Sequence, residues 1–240
     1  RENDQSVSLD FIQEAMTTVG QLLAYQRGWS VVVVRSTVPP GTTQQILLPL
    51  MEQHSGKMAG EEFGVCMNPE FLRARSFLDD FAHPWATVIG QLDERSGNVL
   101  EDLYRPFGGT LFRMSLIEAE FLKYIHNLRN ATIISFYNEL WLLGKTMDLD
   151  LNEVFTVSTQ TAESAWNPQY GSVGGQPYGG TCLPKDTVGL LRFAEEQGIE
   201  MPLLAAIITV NEQMDKLAGE GEVPPSQIAG HRWRQSPRKK

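Results

Sequence analysis

The sequence contains little cysteine and little histidine. Its 240 residues include two cysteines, Cys66 and Cys182, which lie far apart along the chain. Two such residues make a poor disulfide framework, so we expect a reducing, cytoplasmic setting. None of the four histidines stands in a recognisable partner motif for a cysteine. This absence disfavours a thiol hydrolase, and we predict no bound metal.

Long apolar runs are also missing. No stretch approaches the roughly 20 apolar residues that a membrane span needs, and the first ten residues lack a signal-peptide core. We therefore expect no membrane partner. Hydrophobic residues still make up 42% of the chain and aromatic residues 9%, which is typical of a folded globular protein. The length allows one large domain or two ordinary ones.

Basic residues are scarce outside the last ten positions. That segment carries five Lys or Arg and no acid, so residues 1–230 hold 15 basic and 29 acidic residues, a net charge of −14. A body this acidic argues against a broad nucleic-acid surface, and we expect no nucleic-acid partner. The basic end could contact RNA or lipid, but a solvated, disordered terminus is the simpler interpretation.

The first half alternates helical and extended patterns. Residues 8–27 have helical periodicity, with Ser8 as a plausible N-cap. The run from Val31 to Ser36 is β-branched and predicts a strand buried on both faces of a parallel sheet. Short strands are predicted again before Asn68, at "ATVIG" and at "TLFRMS". The alternation up to about residue 115 predicts an α/β layer structure.

The second half is helical. The stretch from Ile117 to about Lys145 predicts one helix of roughly 40 Å. Its segment "ATIISFYNELWLL" is apolar on nearly all sides, so we expect it to be buried in a bundle or dimer core. Further helices are predicted in "LDLNEVFTVSTQTA" and over residues 186–197 and 202–217, with a loop between residues 167 and 180.

Two polar clusters follow predicted strands. Ser36 and Thr37 come at the end of the valine strand, where open α/β sheets bind ligands, although an ordinary turn is an equally simple interpretation. Glu70 follows a proline and precedes two large apolar residues. Partial desolvation would raise its pKa towards general acid–base use. The alternative is a surface loop carboxylate.

A third polar cluster lies on the long helix. Lys123 and Asn127 are four residues apart and therefore share a face, with Asn138 three turns further on. A buried ammonium and amide are costly unless they meet a ligand or a partner. The alternative is a solvent-facing polar stripe.

The fourth cluster is "YGGTCLPKD", residues 178–186. Its two glycines permit a sharp turn or a close ligand approach. Cys182 lies beside Lys185 and near a helix predicted to begin around Pro184, and both features favour a thiolate nucleophile. The alternatives are an inert packed thiol, which fits Cys66 well, and a capping role for Asp186.

The order of the four motifs carries a resemblance. "VVVVRSTVPPGT", "NPEFLR", "KYIHN" with "SFYNE", and "YGGTCLPKD" follow one another as in the UDP-glucose/GDP-mannose dehydrogenase family. The stretch "SGKMAGEEFGVCMNPEFLR" looks most like the GDP-mannose 6-dehydrogenase branch. The resemblance covers about Ser8 to Met214.

This resemblance implies a catalytic set. Members oxidise the C6 alcohol of a nucleotide sugar to a carboxylate with NAD, through a thiohemiacetal and a thioester on a cysteine. By resemblance Cys182 is the nucleophile, and Lys123 and Asn127 stabilise the oxyanion at C6. Glu70 acts in proton transfer, and Asp186 with Thr37 holds the water that serves as base.

The resemblance also implies binding residues and partners. Ser36, Thr37 and Lys185 would contact NAD. The residues implied in binding a nucleotide sugar of the GDP-mannose or UDP-glucose type are Glu70, Phe71, Leu72, Lys123, Asn127, Asn138, Tyr170 and Gly179. A homodimer would form through the long central helix.

The resemblance further implies a domain plan. Residues 1–115 would be the second half of a Rossmann-like parallel-sheet domain, residues 116–218 an all-α central dimerisation and catalytic domain, and residues 219–240 a disordered basic tail. No GxGxxG occurs in the sequence. By resemblance, the first residue follows the first strands of the Rossmann domain, and the C-terminal nucleotide-binding domain is also missing.

Two point differences and an open sheet edge leave an alternative function open. Ala74 replaces a family glutamate, and the loop before Cys182 lacks an arginine. A non-catalytic paralogue that dimerises or binds nucleotide sugars is therefore the alternative to an enzyme.

A sheet without its first strands would expose an edge, so we expect the isolated chain to aggregate or to pair with a missing segment.

Overall fold

The computed structural model describes residues 7–73, 75–167, 169–172 and 174–220. The chain divides into two compact units, Arg1–Arg129 and Asn130–Lys240. Ala74 and nearly all of the predicted tail, from residue 221 onward, lie outside the described residues.

The first unit contains a sheet in which the described residues form four strands. These are β1 (Val31–Val34), β2 (Gly64–Met67), β3 (Ala86–Gln91) and β4 (Thr110–Ser115), adjacent in that order. β1 pairs with β2 in parallel, and β3 pairs with β4 in parallel. β2 and β3 are antiparallel, so the sheet is mainly but not entirely parallel, whereas the sequence pattern predicted a parallel sheet. The connection from β2 to β3 contains only a short helix, whereas a parallel crossover usually carries a full one.

Helices surround this sheet in the first unit. They are α1 (Asp10–Tyr25), α2 (Leu48–Ser55), α3 (Phe77–Ala82), α4 (Glu94–Tyr104) and the start of α5 (Leu116–Thr146). A π-helical turn, Thr43–Leu47, leads into α2, and a 3₁₀ turn, Arg105–Phe107, follows α4. The N-cap of α1 is Leu9 and not the predicted Ser8, whose hydroxyl accepts a hydrogen bond from the backbone N–H of Asp10.

Apolar side chains are buried on both faces of the sheet because alternate residues of a strand point in opposite directions. One face packs against α1, α2 and α5, and its buried cluster includes Val65, Met67 and Met51. The other face packs against α4 through Cys66, Ile89 and Leu100. This layering explains why the strands are short and rich in valine.

β1 is less buried than its sequence predicts. Only Val34 is fully buried, and Val31, Val32 and Val33 are half-buried. The described residues give β1 one neighbour, β2, so it stands at the edge of this sheet. The expectation of a strand buried on both faces was therefore wrong for these residues.

The start of α5 is well specified. The hydroxyl of Ser115 accepts from the N–H of Glu118, while the Glu118 carboxylate accepts from the N–H of Ser115 at 2.7 Å. This reciprocal capping box ends β4 and begins the helix. A Cβ added at Gly90 would lie 2.5 Å from that of Ala119, so glycine lets β3 and α5 approach closely.

The second unit is helical in its described residues. It contains the end of α5, then α6 (Leu151–Thr161), α7 (Glu163–Trp166), α8 (Leu183–Glu196) and α9 (Pro202–Gly219). Its buried cluster consists of Leu143, Ala194, Met201 and Leu204.

The apolar centre of α5 is not buried within one chain. Ile133, Ile134, Phe136, Trp141 and Leu142 are all exposed. Leu143, at the end of this segment, is buried in the helical cluster of the second unit, so the expected burial in a bundle holds for that end and not for these five residues. Burial of the five in a dimer stays a prediction. Among the described helices, none is both long and apolar enough to cross a membrane.

Candidate active site

An ammonium group lies against the loop that follows β2. Lys123 is buried, and its Nζ lies 3.1 Å from Oε1 of Glu70 and also donates to the Glu70 carbonyl oxygen. The helix α5 supplies the lysine, and the chain after Met67 supplies the glutamate. Two predicted site residues that are far apart in sequence are thus brought into direct contact. The alternative of a solvent-facing stripe does not apply to Lys123.

The electrostatics of Glu70 differ from the sequence expectation. Partial burial does oppose its charge, but the N–H of Leu72 and the ammonium of Lys123 outweigh burial and lower the pKa of Glu70. Leu72 N donates to Glu70 Oε2 at 2.7 Å. The expectation of a raised pKa was therefore wrong, because the polar partners of the carboxylate favour its ionised form.

Phe71 closes one side of this pair. Its ring lies 5.4 Å from Lys123 Nζ and 4.8 Å from the ring of His126. Burial, followed by the nearby charges of Lys123 and Arg129, lowers the pKa of His126. A neutral imidazole beside Phe71 avoids adding a second cation next to the ammonium.

Ser36 and Thr37 are exposed just after β1. Together with α1 residues, they line an open cavity of about 500 Å³ at the carboxyl end of that strand. Their hydroxyl groups are therefore accessible to a ligand at the sheet edge predicted for binding.

A buried glutamate holds the loop that follows Thr37. Glu120, one turn before Lys123 on α5, is fully buried and accepts from the backbone N–H groups of Gly41 and Thr43. The Thr43 contact is 2.7 Å long. Gly41 has a φ of +92°, which a residue with a side chain rarely adopts. One helix turn therefore anchors both loops that carry predicted site residues.

Sequence reasoning missed Glu120. Its signal is an acid three residues before Lys123, on the same helix face and surrounded by apolar residues. A buried carboxylate requires partners, so this position could have been singled out in the same way as Lys123.

The remaining candidates on α5 are exposed. Asn127 in the first unit and Asn138 in the second are both accessible to solvent. Asn127 therefore does not share the burial of Lys123, although the two are one turn apart.

Cys182 immediately precedes α8 in the second unit. The cysteine is exposed, and the hydroxyl of Thr181 lies 3.8 Å from its sulfur. The Cys182 carbonyl oxygen accepts from Asp186 N at 2.8 Å, as part of the first turn. The thiol thus stands at a helix N-terminus, as the sequence predicts, and it is not packed inside the protein.

The charged neighbours of Cys182 pair with each other. Lys185 Nζ lies 3.1 Å from Asp186 Oδ1, and both side chains are largely exposed. Tyr170 and Gly179, the remaining predicted substrate contacts, are also exposed. All four residues lie in the second unit, and each is accessible to a ligand.

Cys66 fits the inert interpretation. It is fully buried in β2, and burial raises its pKa to about 12. In the described part of the chain, no group of three or more His, Cys, Asp or Glu side chains is arranged to hold a metal ion.

Comparison with known proteins identifies the family. The profile of the UDP-glucose/GDP-mannose dehydrogenase family, NAD binding domain, matches residues 1–108. The profile of the central domain of the same family matches residues 117–213. The chain belongs to this family. The resemblance carried by the four motifs is therefore confirmed.

Relatives of two specificities match most of this family member. GDP-mannose 6-dehydrogenase of Pseudomonas savastanoi pv. phaseolicola is 38% identical over 206 residues, or 85% of this chain and 47% of the relative. UDP-glucose 6-dehydrogenase of Haloferax volcanii is 33% identical over 218 residues, or 88% of this chain and 49% of the relative. The chain spans about half the length of these relatives.

Solved dehydrogenases have a similar fold. A ternary complex of GDP-mannose dehydrogenase from Pseudomonas aeruginosa has a TM-score of 0.86 at 34% identity, covering 90% of this chain and 50% of that one. A UDP-glucose dehydrogenase from Pyrobaculum islandicum has a TM-score of 0.64 at 37% identity, covering 90% of this chain and 48% of that one. The predicted α/β fold followed by a helical region is confirmed.

Proposed function

We propose that this chain carries the catalytic residues of an NAD-dependent nucleotide-sugar 6-dehydrogenase. The observation that carries the proposal is the buried Lys123 ammonium set against Glu70, two residues that the family resemblance places in catalysis. The exposed thiol of Cys182 at the start of α8 supports the same reaction. The family profiles and the relatives support both the cofactor class and the substrate class.

The residues present fit part of an NAD site. The exposed hydroxyls of Ser36 and Thr37 face an open cavity at the end of β1, where a nicotinamide can be held. Lys185, exposed on α8, is the third proposed contact. These three residues are proposed for the nicotinamide end of the cofactor, and the sequence contains no GxGxxG that would assign the pyrophosphate contacts. When bound, NAD accepts the hydride that leaves C6 in each of two oxidations.

Cys182 supplies the nucleophile. Its thiolate adds to the C6 aldehyde, forming a C–S bond and placing the carbonyl electron pair on oxygen. Loss of hydride from this thiohemiacetal leaves a thioester. Water then adds to the thioester carbon, the C–S bond breaks, the thiolate is regenerated and the carboxylate is released.

Lys123 stabilises the oxyanion that forms at C6. An ammonium has three N–H groups, and the described residues supply partners for two of them, both on Glu70. The third can be donated to the oxyanion, together with the amide of Asn127. Because Lys123 is buried and already oriented, little reorganisation accompanies the reaction.

Glu70 accepts a proton during hydrolysis. A carboxylate is ionised at neutral pH, as a base must be, and the Lys123 ammonium that helps to lower the pKa of Glu70 also makes it a weaker proton acceptor. By family resemblance Asp186 and Thr37 hold the attacking water, and each side chain is exposed within its own unit.

The nucleotide sugar is of the GDP-mannose or UDP-glucose type. Relatives of both names support it. The proposed contacts in the first unit are Glu70, Phe71, Leu72, Lys123 and Asn127, and those in the second are Asn138, Tyr170 and Gly179.

We propose also that two copies pair through α5. The exposed apolar side chains of its central part, among them Ile134 and Trp141, support such an interface.

Two unpaired cysteines support a reducing, cytoplasmic setting.

A non-catalytic scaffold is the second candidate. The lack of an arginine in the loop before Cys182 and the exposed apolar part of α5 favour binding and assembly without oxidation. The exposed thiol beside a lysine disfavours it, because a scaffold needs neither.

The test is turnover by the purified chain and by Cys182→Ser. We expect two equivalents of reduced nicotinamide per sugar with NAD and either GDP-mannose or UDP-glucose, and none from the variant. Calorimetric titration with NAD and with each sugar accompanies the assay. Sugar binding without turnover would support the scaffold. Equal turnover by Cys182→Ser would reject the catalytic assignment.

A further inference from the structure

The side chain of Asn211 pairs with the backbone of Tyr178. Its Oδ1 accepts from Tyr178 N at 2.6 Å, and its Nδ2 donates to Tyr178 O at 3.2 Å. Both residues belong to the second unit, where Asn211 lies on α9. A carboxamide that both accepts from and donates to one residue's backbone imitates the pairing of a neighbouring strand.

Tyr178 begins the loop that carries Cys182. Four residues, Gly179 to Cys182, connect it to the first residue of α8. Two of them are glycines, and Gly180 has a φ of +80°. A Cβ added at either glycine would meet no described atom within 4 Å, so the side of the backbone where a side chain would stand is open at both positions. The loop therefore depends on its two ends.

One end of the loop is α8, and the other is the contact with Asn211. The Tyr178 hydroxyl adds only a long contact of 3.5 Å to the hydroxyl of Thr187. Without Asn211, the backbone of Tyr178 would lose both of these hydrogen bonds, and the flexible glycine pair that follows would let the direction in which the chain enters α8 vary.

The position of Asn211 is itself supported. The buried carboxylate of Glu139 on α5 accepts from the N–H groups of Leu203 and Leu204, at 2.7 and 2.9 Å, at the start of α9. Leu204 and Ala194 then pack α9 against α8. Asn211 thus lies on α9, whose N-terminus is held by Glu139, and α9 packs against α8, the helix that follows Cys182.

We infer that Asn211 is a positioning residue that sets the backbone entering the Cys182 turn. It acts through Tyr178 and touches no reacting atom. The inference rests on the proposed function only in taking Cys182 as the nucleophile. A small error in placing a reacting atom costs orders of magnitude in rate, which gives such an anchor a function beyond stability.

The first test is amide hydrogen exchange of the full chain, followed by NMR. In the wild type the Tyr178 amide should be protected. In Asn211→Ala the exchange rate of the Tyr178 amide should rise roughly 10-fold or more, the factor expected for the loss of one hydrogen bond. Asn211→Asp keeps the acceptor and should leave Tyr178 protected. Thr209→Ala is the matched control, because its hydroxyl bonds only within α9, to Ala205 O.

The second test separates positioning from general stability. In the turnover assay with NAD and the nucleotide sugar, Asn211→Ala should lower kcat roughly 10-fold or more. Its KM for the nucleotide sugar should stay within about twofold of the wild-type value, and Asn211→Asp should recover part of kcat. Thr209→Ala should change neither constant. Equal losses in Asn211→Ala and Thr209→Ala would overturn the inference.

The two proposals fail separately. An unprotected Tyr178 amide in the wild type, or unchanged exchange in Asn211→Ala, overturns the role of Asn211 whatever Cys182 does. If Asn211→Ala does not fold, wild-type protection and Asn211→Asp still decide the matter. Turnover that survives Cys182→Ser rejects the proposed function and leaves the exchange result unaffected.

Discussion

Lys123 Nζ and Glu70 Oε1 lie 3.1 Å apart although 53 residues separate them in sequence. The lysine side chain is 8% exposed and that of the glutamate 36%. The ammonium is thus desolvated more than its partner, which leaves Glu70 accessible to water and to a substrate. The pair links the loop after β2 to α5.

Glu70→Gln should destabilise the chain at neutral pH and not in acid. A carboxylate with a lowered folded pKa contributes stability above its unfolded pKa of about 4.3 and loses it as the pH falls through the folded pKa. We expect a loss of roughly 1–2 kcal/mol at pH near 7, below that of a fully buried pair because Glu70 is partly solvated. Urea unfolding across the pH range measures it. Glu61→Gln, at an exposed carboxylate, is the control, and a pH-independent difference would contradict the account.

Cys182 should react with iodoacetamide and Cys66 should not while the chain is folded. Cys182 is exposed, whereas burial raises the pKa of Cys66 to about 12. At neutral pH the thiolate fraction of Cys66 is then roughly 1000-fold below that of an ordinary cysteine. Peptide mass spectrometry before and after addition of urea distinguishes the two sites. Cys182→Ser should remain unlabelled until it unfolds, and native labelling of that variant would refute the assignment.

Glu120→Gln should lower stability through one unpaired backbone group. The amide can accept from Gly41 N or Thr43 N but presents its NH₂ to the other, which costs about 1–3 kcal/mol. Glu120→Ala removes both acceptors and leaves a cavity, so its loss should be larger, about 3–5 kcal/mol. Glu118→Gln is the matched control, because glutamine also closes the capping box and should change stability by less than about 0.5 kcal/mol. Equal free energies of unfolding for the Glu118 and Glu120 variants would argue against the anchor.

Ile134→Glu should weaken self-association. Ile134 and Leu142, eight residues apart, are exposed on α5 and lie close to one face. A charge in a dimer core should raise the dissociation constant at least roughly tenfold, as measured by sedimentation over a range of concentrations. Gln53→Glu adds the same charge at an exposed position of α2, outside α5, and should have no effect. A wild-type chain that is monomeric at every concentration would remove the basis for this interface.

The secondary structure was predicted closely where a periodic pattern is long. Helix α5 was expected from Ile117 to Lys145 and runs Leu116–Thr146. By contrast, α4 was not predicted individually. Its start depends on Asp93, whose carboxylate accepts from Ser96 N, and its buried residues are Ser96, Gly97 and Leu100. Only one of these three is a large apolar residue, so the buried face of this short helix is not marked by a run of apolar side chains.

Site residues could be predicted where a reactive side chain lies beside glycine or proline in the sequence. Cys182 among glycines and Glu70 after a proline are visible as motifs, because backbone turns and helix ends select their residues locally. The resemblance to the family adds the roles of Thr37, Asn127 and Asp186, which are still predictions for this chain.

Long-range pairing decided the rest. The sign of the pKa shift of Glu70 depends on a lysine 53 residues away. The loop after β1 depends on Glu120, which lies 79 residues from Gly41. The Cys182 turn depends on Asn211, which lies 33 residues from Tyr178. Periodicity and turn propensity report the local environment of a residue, and from them came the elements, the fold class and the reactive groups. The partner of a buried charge or amide is chosen only when the helices pack, because its hydrogen bonds are with backbone groups that any residue can supply.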